Sequence, residues 1–250
     1  MSTTSTAGGQ MTLVEHLTEL RKRLIISVLA IAVGMVVVTV FYNTVFDWLL
    51  QPYNKAFPDN DGLLQTDPLE GFGVRIKLTS YGALGLAMPV LLWQVWRFIS
   101  PGLYDNEKRY AIPFVTSALL LFVTGAYLAF WTMPQALSWL GDIGGHSLTQ
   151  FYSPGKYLQL IVYMMLAFGV GFEFPVVLVF LQLAGILQPD TLRRVRRFAY
   201  VGITVVVAVI TPSGDPFSML ALSIPMVVFY EISILVGRWV TRGRALQDSS

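Results

Sequence analysis

The sequence contains no cysteine, which excludes disulfides, thiolate metal sites and cysteine nucleophiles. It has two histidines, His16 and His146, far apart in the chain, so no histidine-built metal site is expected. Charge is scarce as well. Asp, Glu, Lys and Arg make up 13% of the 250 residues, against roughly 25% in a soluble domain. So thin a charged shell cannot cover a water-facing surface, and 54% of the residues are hydrophobic. The formal net charge of +2 is too small to argue for nucleic acid as a partner. In place of charge the chain has long apolar runs, and lipid is the simplest thing for them to face.

A bilayer core needs ~20 apolar residues in helical form. Such runs are found at about 24–43, 78–96 and 111–133. A fourth, 157–187, is unusually long and contains Glu173; a fifth, 198–210, is short; the sixth is 217–236. None alternates apolar with polar residues, so a closed barrel loses to helices, the other structure that satisfies its backbone in lipid. The predicted fold is all-α with six transmembrane helices, bent and arranged around a concave face. Pro89, Pro175 and Pro225 are expected to break or bend their spans. Residues 1–10 read as a disordered polar tail rather than a cleaved leader, 11–240 as one membrane domain, and 241–250 as a cytoplasmic tail. No internal repeat is visible.

Lys and Arg set the orientation. Arg21, Lys22 and Arg23 precede the first span, and Arg97, Lys108 and Arg109 separate the second from the third. Arg193, Arg194, Arg196 and Arg197 separate the fourth from the fifth, and Arg238, Arg242 and Arg244 follow the sixth. Lys55, Arg75, Lys77 and Lys156 are left for the other side, three of them near span ends where they can snorkel. Both termini are thus expected in the cytoplasm. The outer connections, 44–74 and 134–156, read as long loops, and 211–216 as a turn.

Several polar residues stand out, each with a structural duty to weigh against a functional one. In 12-TLVEHLTELRKRL-24, Thr12 and Glu15 fit a capping box. Glu19 fits an i,i+4 ion pair with Arg23 worth a few tenths of a kcal/mol. In 98-FISPGLYDNEKRY-110, Ser100-Pro101-Gly102 turns the chain, Asp105 is placed to cap a helix, and Glu107 is a first-turn acid. Glu19 and Glu107 are nevertheless acids in basic segments, and together could present a negative pocket to a basic ligand. Glu173, in 168-FGVGFEFP-175, is a carboxyl group at membrane depth, which is costly and functional by default. Asp215, in 211-TPSGDPF-217, is an N-cap followed by proline at the first helical position. Glu231 is the other carboxyl group within a span, nearer its cytoplasmic end.

HLTELRKRL, SPGLYDNEKR, FGVGFEFP and TPSGDPF, in this order between these spans, resemble TatC, the polytopic core of the twin-arginine protein translocase. The segment 66-TDPLEGF-72, Pro52 and 193-RRVRRFAYV-201 are similar to that family too. The similarity covers about 11–240. One departure is that Ser213 and Gly214 stand before Asp215, where the family commonly has proline directly followed by aspartate. The resemblance implies a receptor for signal peptides with paired arginines on folded precursors, in the cytoplasmic (inner) membrane of a prokaryote. It implies a binding site at Glu19 and Glu107 with Arg21, Phe98 and Leu103 nearby, and structural or partner roles for Pro52, Asp215 and Glu231. It also implies TatA-type and TatB-type single-span partners, further copies of the chain, and the proton-motive force as the energy source, with no cofactor. Carboxylates suit such a ligand, because guanidinium groups bind them in bidentate, charge-assisted bonds that lysine cannot copy.

Two other classes compete. A proton- or cation-coupled secondary transporter would use Glu173, but predicts more polar groups at membrane depth. An intramembrane protease needs a base beside its serine or a pair of intramembrane aspartates, and the runs contain neither.

Overall fold

The computed structural model describes residues 13–60, 62–99, 111–143 and 152–247, and every regular element among them is a helix. The expected tail 1–10 and Thr12 of the capping box lie outside the described residues. The chain forms α1 (Leu13–Val40), α2 (Tyr42–Ala56), α3 (Glu70–Ile99), α4 (Ala111–Ile143) and α5 (Pro154–Gly171). It continues as α6 (Phe174–Leu183), α7 (Pro189–Arg194), α8 (Arg196–Ile210) and α9 (Pro216–Gln247). Five stretches are long and apolar enough to cross a membrane: Val14–Val40, Glu70–Phe98, Ile112–Ile143, Pro154–Leu183 and Pro216–Trp239. At ~1.5 Å per residue the 15-residue α8 spans about 22 Å, short of a ~30 Å hydrocarbon core. A six-span layout is compatible with this set.

The helices depart from the sequence expectation in four places. The first outer segment, expected as loop, contains α2, in which Val45, Phe46, Leu49 and Tyr53 form an apolar face against the core while Pro52 is buried inside the helix. Helix α4 runs through Pro134 to Ile143, taking up part of the second expected loop. Pro89 and Pro225 do not end α3 and α9, which continue through them, the latter to Gln247 in the expected tail. Only Pro175 coincides with a break, at Phe172–Glu173 between α5 and α6. Its missing N–H leaves the preceding turn without a bond, and Gly169 and Gly171 weaken the helix just before it.

Lipid tails are as apolar as leucine, so helices in a membrane associate through close packing rather than by escape from water. Two crossings depend on glycine. A Cβ on Gly34 of α1 would sit 2.9 Å from the Ala83 carbonyl oxygen of α3, and one on Gly125 of α4 would sit 2.5 Å from the Phe168 carbonyl oxygen of α5. The core between α2, α4, α5 and α9 holds Tyr53, Met133, Tyr157, Phe168 and Leu222, all essentially without solvent contact. The buried phenols find backbone acceptors, as they must: Tyr157 donates to the Leu49 carbonyl, and Tyr230 to the Leu192 carbonyl at 2.8 Å. The starts of α3 and α5 are tied by Glu70, whose Oε1 accepts from the Gly155 N–H at 2.9 Å.

Candidate functional site

The first turns of α1 extend beyond the apolar run and carry its charge. Positions 16, 19 and 23 are three and four apart, so they share one helical face. That face lies on the last turns of α3, where Gln94 and Phe98 are likewise four apart. The His16 and Phe98 rings stack with centroids 4.6 Å apart. Arg23 donates from Nε to Glu19 Oε1 at 3.1 Å and from Nη2 to the same oxygen. Its Nη1 donates to Gln94 Oε1 at 3.3 Å. Both side chains of the ion pair are largely enclosed, Glu19 at 17% exposure and Arg23 at 14%. The second carboxylate oxygen, Glu19 Oε2, is buried without a hydrogen-bond partner.

Of the residues expected at the site, Glu19 and Phe98 therefore stand on one ladder, while Arg21 is exposed to solvent. Leu103 and Glu107 lie outside the described residues, as do Ser100 to Gly102, Asp105 and His146. The ladder also contains His16, Gln94 and Arg23, none of which sequence reasoning placed at the site. The available signal was a glutamine in an otherwise apolar turn of α3, four positions before Phe98.

Glu173 sits at the break between α5 and α6, partly buried, with its N–H bonded to the Val170 carbonyl at 3.0 Å. It occupies the N-cap position of α6 without its side chain capping the helix, and its Oε1 is buried with no partner. Glu231 is engaged differently. Its Oε2 pairs with Arg196 Nη2 at 2.8 Å and its Oε1 accepts from the Tyr200 hydroxyl, fastening the start of α8 to α9. Asp215 is fully buried and caps α9 as expected, its Oδ1 accepting from the Ser218 N–H at 2.6 Å. The two residues inserted before it are absorbed locally: Gly214 takes φ +59 and Ser213 donates to Asp215 Oδ2. Among the described residues no group of His, Asp and Glu side chains could hold a metal ion.

Residues 15–225 match the family model "Sec-independent protein translocase protein (TatC)". A Sec-independent protein translocase protein TatC from Frankia casuarinae is 40% identical over 248 residues, covering 94% of this chain and 68% of the relative. The protein of the same name from Aquifex aeolicus is 38% identical, covering 93% of this chain and 97% of its own length. Among solved structures, the crystal structure of the twin-arginine translocase receptor TatC superposes with a TM-score of 0.76 at 37% identity. That match covers 91% of this chain and all of the other. With most of its length matched by the family model and by relatives of more than 30% identity, this chain belongs to the TatC family of Sec-independent protein translocase proteins.

Proposed function

We propose that this multi-pass membrane protein is the signal-peptide receptor of a twin-arginine translocase, binding paired arginines through Glu19 and Glu107. Its family is one of protein-translocase components and not of enzymes, and the coupled-transporter alternative built on Glu173 has no support there. The observation that carries the reading is the Glu19 carboxylate, enclosed at the α1–α3 junction with one oxygen unpartnered. A buried acceptor without a donor is costly, and a guanidinium is the donor best shaped for a carboxylate. Phe98, stacked on His16 beside it, holds the two helices together there. Arg21 and Leu103 belong to the same neighbourhood by resemblance.

In this reading both termini face the cytoplasm of a prokaryote, as the distribution of Lys and Arg predicts. The apolar part of the signal peptide lies along the concave wall near Glu173. TatA-type and TatB-type single-span subunits complete the translocase, with further copies of this chain, and the proton-motive force drives transport. The hairpin of α8 and α9, with its short first helix, supplies the docking edge for a single-span partner, because a mismatch with the bilayer can be relieved by packing against another helix.

The test is binding of a labelled twin-arginine peptide to purified receptor. Replacing Glu19 and Glu107 together by Gln is expected to abolish binding while membrane insertion stays normal, and replacing Glu15 to cost less. Unchanged binding by the double variant refutes the assignment.

A further inference from the structure

The carboxylate assigned to the ligand is already held by an arginine of the same chain. Arg23 places two N–H groups, Nε and Nη2, on one oxygen of Glu19 and leaves the other oxygen empty. Its remaining reach goes across to α3, where Nη1 meets Gln94 Oε1 at 3.3 Å. Gln94 is itself buried, at 8% exposure. We propose that Arg23 is an internal competitor for the arginine site: an incoming guanidinium must displace it from Glu19, and this exchange sets the affinity threshold for cationic peptides.

The proposal rests on the reading of Glu19 as an arginine-binding carboxylate. Three features of the ladder support it. First, Arg23 offers the same group as the ligand, so binding is a trade of one guanidinium for another at a carboxylate that water reaches poorly. Second, the resident contact is incomplete. A guanidinium approaching in the side-by-side geometry engages both carboxylate oxygens, whereas Arg23 engages Oε1 alone. The newcomer therefore satisfies Oε2, which the resident leaves unpaired. Third, the released arginine keeps a partner, because Gln94 can go on accepting from it. A lysine gains less from the same trade, since an ammonium is a point donor that cannot span both oxygens. Displacing Arg23 then replaces two N–H contacts by one, and lysine-bearing peptides fall below the threshold.

The experiment uses purified full-length receptor in lipid nanodiscs and fluorescent signal peptides that differ only in carrying Arg-Arg or Lys-Lys. Arg23→Gln is expected to tighten Arg-Arg binding about tenfold, the scale of one enclosed charge-assisted bond. It is expected to bring Lys-Lys binding into the measurable range. Arg23→Lys keeps the charge and loses the two-point contact, and is expected to fall between the wild type and Arg23→Gln. Lys22→Gln removes the same charge from an exposed neighbouring position. Its expected effect is below about twofold, because solvent and salt screen it. Thermal denaturation of each variant confirms that the fold is retained, and Arg23→Lys carries the test if Arg23→Gln fails to fold. Arg-Arg binding that is unchanged or weaker in the Arg23 variants overturns the proposal, as does an equal gain from Lys22→Gln. The underlying reading is tested separately by Glu19→Gln. If that variant loses Arg-Arg binding while the Arg23 variants do not gain it, only the competitor role is wrong.

Discussion

Gly125 gives the most direct test of the packing that positions the α5–α6 break. In Gly125→Ala the new methyl would stand 2.5 Å from the Phe168 carbonyl oxygen, 2.8 Å from its carbon and 3.0 Å from the Phe172 ring. Two of these are backbone atoms of a facing helix, so no side-chain rotation relieves the contact. Restoring ordinary separations of ~3.5 Å requires α4 and α5 to part by roughly 1 Å. Overpacking of this kind costs ~1–3 kcal/mol, while replacing a helical glycine by alanine returns about 1 kcal/mol. The net loss is up to about 2 kcal/mol, a drop in melting temperature of up to ~8 °C for a chain of this size. Gly85→Ala is the control: its Cβ meets nothing within 4 Å, so only the helix-propensity gain remains. Thermal unfolding in detergent, followed by tryptophan fluorescence, reads both variants. Should Gly125→Ala melt at or above Gly85→Ala, the α4–α5 backbone contact is not the constraint argued here.

Three further outcomes are expected. Asp215→Ala removes the cap of α9 and is expected to lower stability by ~1–2 kcal/mol, measured by the same melt, with Asp215→Asn milder; equal melts for all three proteins would refute the capping role. Glu173→Ala is expected to reduce precursor transport into inverted vesicles more than it reduces signal-peptide binding, and Glu173→Gln to do less; normal transport by both leaves the residue structural at most. Cysteines placed singly from 205 to 222 of this cysteine-free chain are expected to form disulfides with cysteine-bearing single-span partners. Crosslinks confined to α1 and α4 would move the docking edge away from the α8–α9 hairpin.

Much of this was legible in the sequence because lipid imposes one rule on long segments. The apolar runs located the spans, although the helices extend beyond several of them at one end, and capping chemistry placed the start of α9. Proline was the misleading signal. Pro89 and Pro225 both lie within continuous helices, because a missing N–H is tolerated where neighbouring helices hold the backbone. Helix α2 was missed because 44–74 was read only as the connection between two apolar runs, although Val45, Leu49 and Tyr53 repeat with helical spacing. At the candidate site, spacing along α1 gave the Glu19–Arg23 pair. Gln94 could not be found the same way, because it is 71 positions from Arg23 in the chain and meets it only through the crossing of α1 and α3.

The contrast between α1 and the α5–α6 pair bears on the order in which the molecule is built as it leaves the ribosome. Helix α1 packs chiefly on α3, and outside that stripe it presents Val28, Val33, Val36 and Val40 outward. It can therefore wait in lipid by itself until α3 is synthesised. The α5–α6 pair is covered in two stages, because α5 packs chiefly on α4 and α6 chiefly on α9. It needs α4, made before it, and α9, made after it. Synthesis of α9, which packs on α4, α6 and α8, is thus the step that closes the bundle.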